Sequence, residues 1–259
     1  MTLAQTAALS MLSLFVGMLV LSEVGRRAGL RKLARDPDGF GKGIGAAEAA
    51  VFALLGLLIA FTFSGAAARF EARRHLITDE ANAIGTAYLR VDLLPVDAQP
   101  AMRTLFRRYV EVRAKVYRVG EDTTQAAARL ADGVALQGNI WKMAITELQR
   151  PGVPVQGSIL LLPALNEMID ITTTRVMATR NHPPFIVFLL LGVLSLVGAL
   201  LVGYATAADA ERNWFHTVTF AIVLSLAVYV IVDLEFPRLG LIRVDSADQI
   251  LIELRASMS

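Results

Sequence analysis

Four stretches of this chain are long, apolar and almost free of charge, and they limit the possible folds more than any other feature. They run from Thr2 to Ser22, Ala49 to Ala68, Pro183 to Ala208 and Trp214 to Val232, the last carrying His216 near its start. About 20 consecutive apolar residues, coiled at about 1.5 Å each, cross the hydrocarbon of a bilayer. In lipid a lone helix satisfies its own backbone hydrogen bonds, so each stretch is read as a transmembrane helix. The composition fits this reading, with 55% of the 259 residues hydrophobic and 19% charged. A soluble domain carries about a quarter charged residues. The first stretch lacks the pattern of a cleaved signal peptide, because no Lys or Arg precedes it while Arg26, Arg27, Arg31, Lys32 and Arg35 follow. It is expected to be retained. A fifth uncharged run, Pro151 to Asn166, contains Pro151, Pro154, Pro163, Gly152 and Gly157. Those breakers predict a loop leading into a helix outside the membrane.

Between the second and third stretches the pattern stays helical. No proline occurs from Ile44 to Leu94, so the second span is expected to continue as one rod well past the bilayer. Pro95 to Pro100 predicts a turn. Further helices are expected at about 101–119, with Leu105, Tyr109, Val112 and Val116 on one face, and at 123–148, with Ala127, Leu130, Val134, Trp141 and Ile145. Another is expected at 160–179, with Leu161, Leu165, Met168, Ile169 and Ile171. After Pro237 a short extended piece and a weak helix over 246–256 complete the chain. The predicted organisation is all-α. Residues 1–68 hold the first two spans with a short basic connection, and 69–182 form a helical extramembrane domain. Residues 183–235 hold the third and fourth spans, and 236–259 form a tail.

No catalytic constellation is present in the sequence, and no enzyme activity or cofactor is expected. The chain has no cysteine, which excludes disulfides, thiolate zinc sites and cysteine nucleophiles. His75, His182 and His216 stand apart from one another, and the pairing of His75 with Asp79 one turn later supplies too few ligands for a metal. The adjacent acids Asp79-Glu80 read as surface polarity, and Glu121-Asp122 as the start of a helix, where carboxylates favour the dipole. Neither a phosphate-cradling glycine loop nor a nucleophile elbow occurs. A net charge of +2 gives no reason to expect nucleic acid.

The second span is the informative one. Gly56, Ala60, Ser64 and Ala68 recur every four residues, a small-residue row that lets helices approach closely in lipid, and Ser195, Ala199 and Gly203 repeat it on the third span. Bundle packing is the plain meaning of both rows. A neighbouring row on the second span holds Ala53, Leu57 and Phe61. It reads as ordinary packing in one chain, but copies arranged about an axis would turn it into apolar rings, which gate ions by dewetting. Glu48 at the start of that span, and Asp233 and Glu235 at the end of the fourth, sit near the ends of their helices, where a charge is least costly. They are candidates for interfacial charges, for a cation-attracting vestibule, or for partners of Arg on another helix.

The segment from Phe52 to Pro95, FALLGLLIAFTFSGAAARFEARRHLITDEANAIGTAYLRVDLLP, and the segment DLEFPRLGLIRV from Asp233 to Val244 resemble bacterial bestrophin-like membrane proteins, a likeness that covers essentially the whole chain. Phe61, Arg69, Phe70 and Arg74 are similar to the aromatic-and-arginine order on the second helix of bestrophin channels. Arg180, Pro183, Pro184 and Phe185 are similar to the proline-rich entry to their third span, and Glu235, Phe236, Pro237 and Gly240 to the turn after their fourth. The resemblance implies a homo-oligomeric, pentameric ion channel in a bacterial inner membrane, passing small inorganic ions along the second helix. Ala53, Leu57 and Phe61 would form its neck. Two departures are visible. The acidic cluster that follows the turn in animal bestrophins is represented by Asp245 and Asp248 alone, which argues against calcium gating, and Ala53 would leave its ring wide.

Orientation is contested within the sequence. The connection from Gly25 to Gly43 carries Arg26, Arg27, Arg31, Lys32, Arg35 and Lys42, which the positive-inside rule places in the cytoplasm. The resemblance instead implies a cytoplasmic large domain and termini, with Arg69, Arg73, Arg74, Arg175, Arg180, Arg238 and Arg243 flanking the spans on that side. Two functions remain open: an oligomeric ion channel, or a non-conducting scaffold or sensor whose helical domain binds a partner.

Overall fold

In a computed structural model the described residues are 3–38, 40, 44–116, 123–209, 213–236, 241–242 and 245–258. They form helices joined by turns, with no strand among them. The helices are α1 (Leu3–Arg35), α2 (Ile44–Leu89), α3 (Gln99–Lys115), α4 (Thr123–Leu148), α5 (Val155–Arg180), α6 (Phe185–Ala205), α7 (Trp214–Glu235) and α8 (Asp245–Ser257). Short 3-10 turns follow α2 (Arg90–Leu93) and α6 (Thr206–Ala208). Four of these helices, α1, α2, α6 and α7, contain stretches apolar and long enough to cross a membrane, as predicted. The predicted rod is also present, since α2 is unbroken for 46 residues, about 70 Å at helical rise.

Three sequence-based expectations are corrected. The basic segment after Ser22 is not a loop, because α1 continues to Arg35. Arg, Lys, Leu and Ala are strong helix formers, and the ion pairs Glu23–Arg27 (2.7 Å) and Lys32–Asp36 (2.8 Å) bridge successive turns. The helix expected from Leu160 starts at Val155 and contains Pro163, whose lost hydrogen bond is offset by burial of Leu161, Ala164, Leu165 and Met168. The inward face of α4 is also different from the one expected. Val134 is 62% exposed, while Leu136, Ile140 and Ala144 are buried together with Gln137 and Glu147. A count of apolar residues misses a face whose buried members include polar groups. The extended piece expected after Pro237 lies largely outside the described residues.

The chain divides into two compact units, Met1–Phe70 with His182–Ile242, and Glu71–Asn181 with Arg243–Ser259. In the first, α1 and α6 lie backbone against backbone. A Cβ added to Gly25 would stand 2.0 Å from the Leu200 carbonyl oxygen, and one added to Gly203 would stand 1.9 Å from that of Ser22. Only glycine permits so close an approach. Leu55 of α2 packs with Met18, Ala199 and Leu224, and Ala66 with Leu191, Ile231 and Leu234. In the second unit, the end of α2 packs with α3, α4, α5 and α8 around Ile84, Phe106, Tyr109, Ile140, Leu165 and Leu251.

Candidate functional site

The residues predicted to form a neck share one side of α2 that the other described residues leave uncovered. Ala53 is exposed, Leu57 is 53% exposed and Phe61 is 68% exposed. The row of Gly56, Ala60, Ser64 and Ala68 is exposed on the same side, and a Cβ at Gly56 would meet nothing within 4 Å. The opposite side carries the buried Leu55 and Ala66. Among the described residues, therefore, the small-residue row of α2 has no packing partner. The row on α6 does have one, since Ser195, Ala199 and Gly203 are buried. Sequence inspection missed Gly25 and Gly29 on α1, which let that helix press against the backbone of Leu200 and Tyr204 on α6. Their four-residue spacing was visible but sat inside a segment read as a loop.

The three candidate acidic residues are placed differently. Glu48 is half-buried near the start of α2. Asp233 is buried, and its carboxylate accepts the backbone N–H of Leu241 (3.0 Å) and of Ile242 (2.9 Å). Glu235 is fully buried and accepts from the Arg69 guanidinium, with Nε at 2.6 Å, while His182 Nδ1 lies 3.3 Å from its second oxygen. The His182 ring in turn stacks on Phe236 at 4.5 Å. Of the roles foreseen for Glu235, pairing with an arginine from another helix is the one this arrangement fills. A carboxylate so buried stays charged at tolerable cost only when it is paired and hydrogen-bonded. Arg69 and Glu235 both lie in the two segments that carried the resemblance, but 166 residues separate them, and spacing alone cannot join them.

The second unit holds a buried charge cluster that sequence reading did not foresee. Glu80 receives hydrogen bonds from Arg113 and Arg175, and all three are almost fully buried. Burial by itself would push the Glu80 carboxyl up, but the two guanidinium groups hold it below the ordinary carboxylate value. Beside it the Tyr109 hydroxyl meets Thr172 (3.1 Å) and Gln137 (2.8 Å). Burial, and then the Glu80 charge, push the Tyr109 phenol up. On the surface, Arg150 holds the Asp97 carboxyl below its ordinary value through a 2.6 Å hydrogen bond. His75, read as surface polarity, lines a shallow hollow with Glu71, Arg74 and Glu253, in which Arg74 pairs with Glu71 at 3.0 Å. Among the described residues no group of three or more acidic or histidine side chains is placed to hold a metal ion.

Among solved structures the chain is similar to a bacterial bestrophin homolog from Klebsiella pneumoniae. For a tryptophan-to-alanine variant of that protein the TM-score is 0.69 at 16% identity, over 96% of this chain and 99% of that one. For an isoleucine-to-threonine variant it is 0.65 at 14% identity, over 94% and 98%. For the crystal structure phased with zinc it is 0.63 at 13% identity, over 93% and 98%. At these identities the likeness is one of fold. No curated protein matches the chain. A family model described as Bestrophin-like domain matches residues 14–248, nearly the whole length. The chain is a member of the Bestrophin-like family.

Proposed function

We propose that this chain is one subunit of a homo-oligomeric, pentameric ion channel, with the pore along α2 and a hydrophobic neck at Ala53, Leu57 and Phe61. One observation carries the reading. These residues and the small-residue row beside them lie on the side of α2 that the other described residues leave bare, opposite the side that carries the buried Leu55 and Ala66. Gly56, Ala60, Ser64 and Ala68 would let copies of α2 approach closely, and Leu57 and Phe61 would then close into rings narrow enough to expel water. Glu48 is the acid best placed to face a vestibule, because Asp233 and Glu235 are occupied within the chain. The channel would sit in the inner membrane of a bacterium, with the helical unit in the cytoplasm.

The reading is tested in planar bilayers. Leu57→Ala and Phe61→Ala widen the proposed neck, and each is expected to raise unitary conductance severalfold while the oligomer keeps its size on gel filtration. Purified protein that passes no ions across a range of voltage, pH and ion identity, with both variants equally silent, would favour the scaffold reading instead.

A further inference from the structure

A cavity of about 370 Å³ opens between Ser22 and Arg26 of α1, the end of α6 and the start of α7, remote in sequence from the proposed neck. Its size falls within the range of small-molecule sites, about 300–1,000 Å³. Its walls combine two kinds of surface. Val202 and Phe220 are apolar parts of membrane-spanning helices, while Arg26, Asp209, Asn213 and His216 supply polar groups. Among the described residues neither Arg26 nor Asp209 forms an ion pair, although both line this one hollow.

An arginine and an aspartate that share a cavity without meeting are complementary to a ligand carrying both charges. We infer that this cavity binds the headgroup of phosphatidylethanolamine. The phosphate would be held by the Arg26 guanidinium, assisted by His216, and the primary ammonium by the Asp209 carboxylate. Arginine suits a phosphate through its planar fork of donors. An ammonium with three N–H groups can donate to Asp209, which the methylated ammonium of phosphatidylcholine cannot do. The apolar walls adjoin the hydrocarbon of the spans, where acyl chains lie, so a lipid meets the cavity as a water-soluble zwitterion does not.

The test is native mass spectrometry of the full-length protein in neutral detergent, titrated separately with phosphatidylethanolamine, phosphatidylcholine and phosphatidylglycerol. Phosphatidylethanolamine is expected to be retained preferentially. Asp209→Asn is expected to lower its affinity about fivefold, to the level of the other two lipids, whereas Arg26→Gln, which removes the contact to a phosphate that all three carry, is expected to lower all three about fivefold. Arg31→Gln, on the same helix but outside the cavity, is expected to leave the preference intact, and gel filtration checks that each variant is folded. Equal retention of the three lipids, a preference that survives in Asp209→Asn, or phosphatidylethanolamine binding undiminished in Arg26→Gln would overturn the proposal. Soluble phosphoethanolamine binding as tightly as the lipid would overturn the assignment to a membrane lipid.

Discussion

Glu80→Gln is expected to destabilise the second unit by about 3–5 kcal/mol, the usual cost of leaving a buried charge without its partner. Here two partners are stranded, because Arg113 and Arg175 both donate to this carboxylate and both are buried. Glutamine keeps the shape and one acceptor but removes the charge. The loss can be read as faster amide hydrogen exchange along α3 and α5, which reports the free energy of local opening. Asp97→Asn is the contrast. It breaks the exposed pair with Arg150, whose side chain is 43% exposed against 69% for Asp97, and no measurable change is expected. The same cluster sets a pH dependence. The folded-state carboxyl of Glu80 lies below its ordinary value of 4.5, so the unfolded chain binds the proton more readily. Its stabilising contribution is therefore complete above that value, and is lost as pH falls below it through the depressed folded value. Protection of α3 and α5 is expected to weaken in that acidic window in the native protein and to weaken less in Glu80→Gln.

Gly203→Leu is expected to separate α1 from α6. Its Cβ would stand 1.9 Å from the Ser22 carbonyl oxygen, and the obstruction is backbone, which no rotamer change can clear. Overpacking typically costs about 1–3 kcal/mol, and a backbone clash belongs at or above the top of that range. The variant is expected to lose thermal stability in detergent and to be cleaved by protease between α1 and α2. Gly56→Leu tests a different level of organisation. Inside one chain nothing stands within 4 Å of a Cβ at that position. If copies of α2 pack on this face, the variant keeps the fold of the chain but fails to assemble, seen as a smaller particle on gel filtration. An unchanged particle size would count against the proposed pore.

The two predictions also separate what periodicity can reveal from what it cannot. Apolar length alone located the four spans, because lipid leaves a polar backbone few solutions other than a helix. The absence of proline from Ile44 to Leu94 was enough to foresee α2 as a rod. The core face of α5 was also legible in Leu161, Leu165 and Met168. The inner face of α4 was not, because Gln137 and Glu147 are buried there and Val134 is not.

What the sequence determined by itself was class and reach: an all-helical chain, four helices able to cross a bilayer, one of them far longer than the bilayer is thick, and a family resemblance carried by two segments. Tertiary structure alone decided which residues meet. It joined Arg69 to Glu235, gathered Arg113 and Arg175 around Glu80, turned the basic connection into the end of α1, and set Gly25 and Gly203 against the backbone of the facing helix. The physical reason is one of range. Hydropathy and helix propensity act over a few turns and are written in consecutive residues, whereas a buried ion pair or a close helix crossing joins groups tens to more than a hundred positions apart and leaves no periodic trace in the chain.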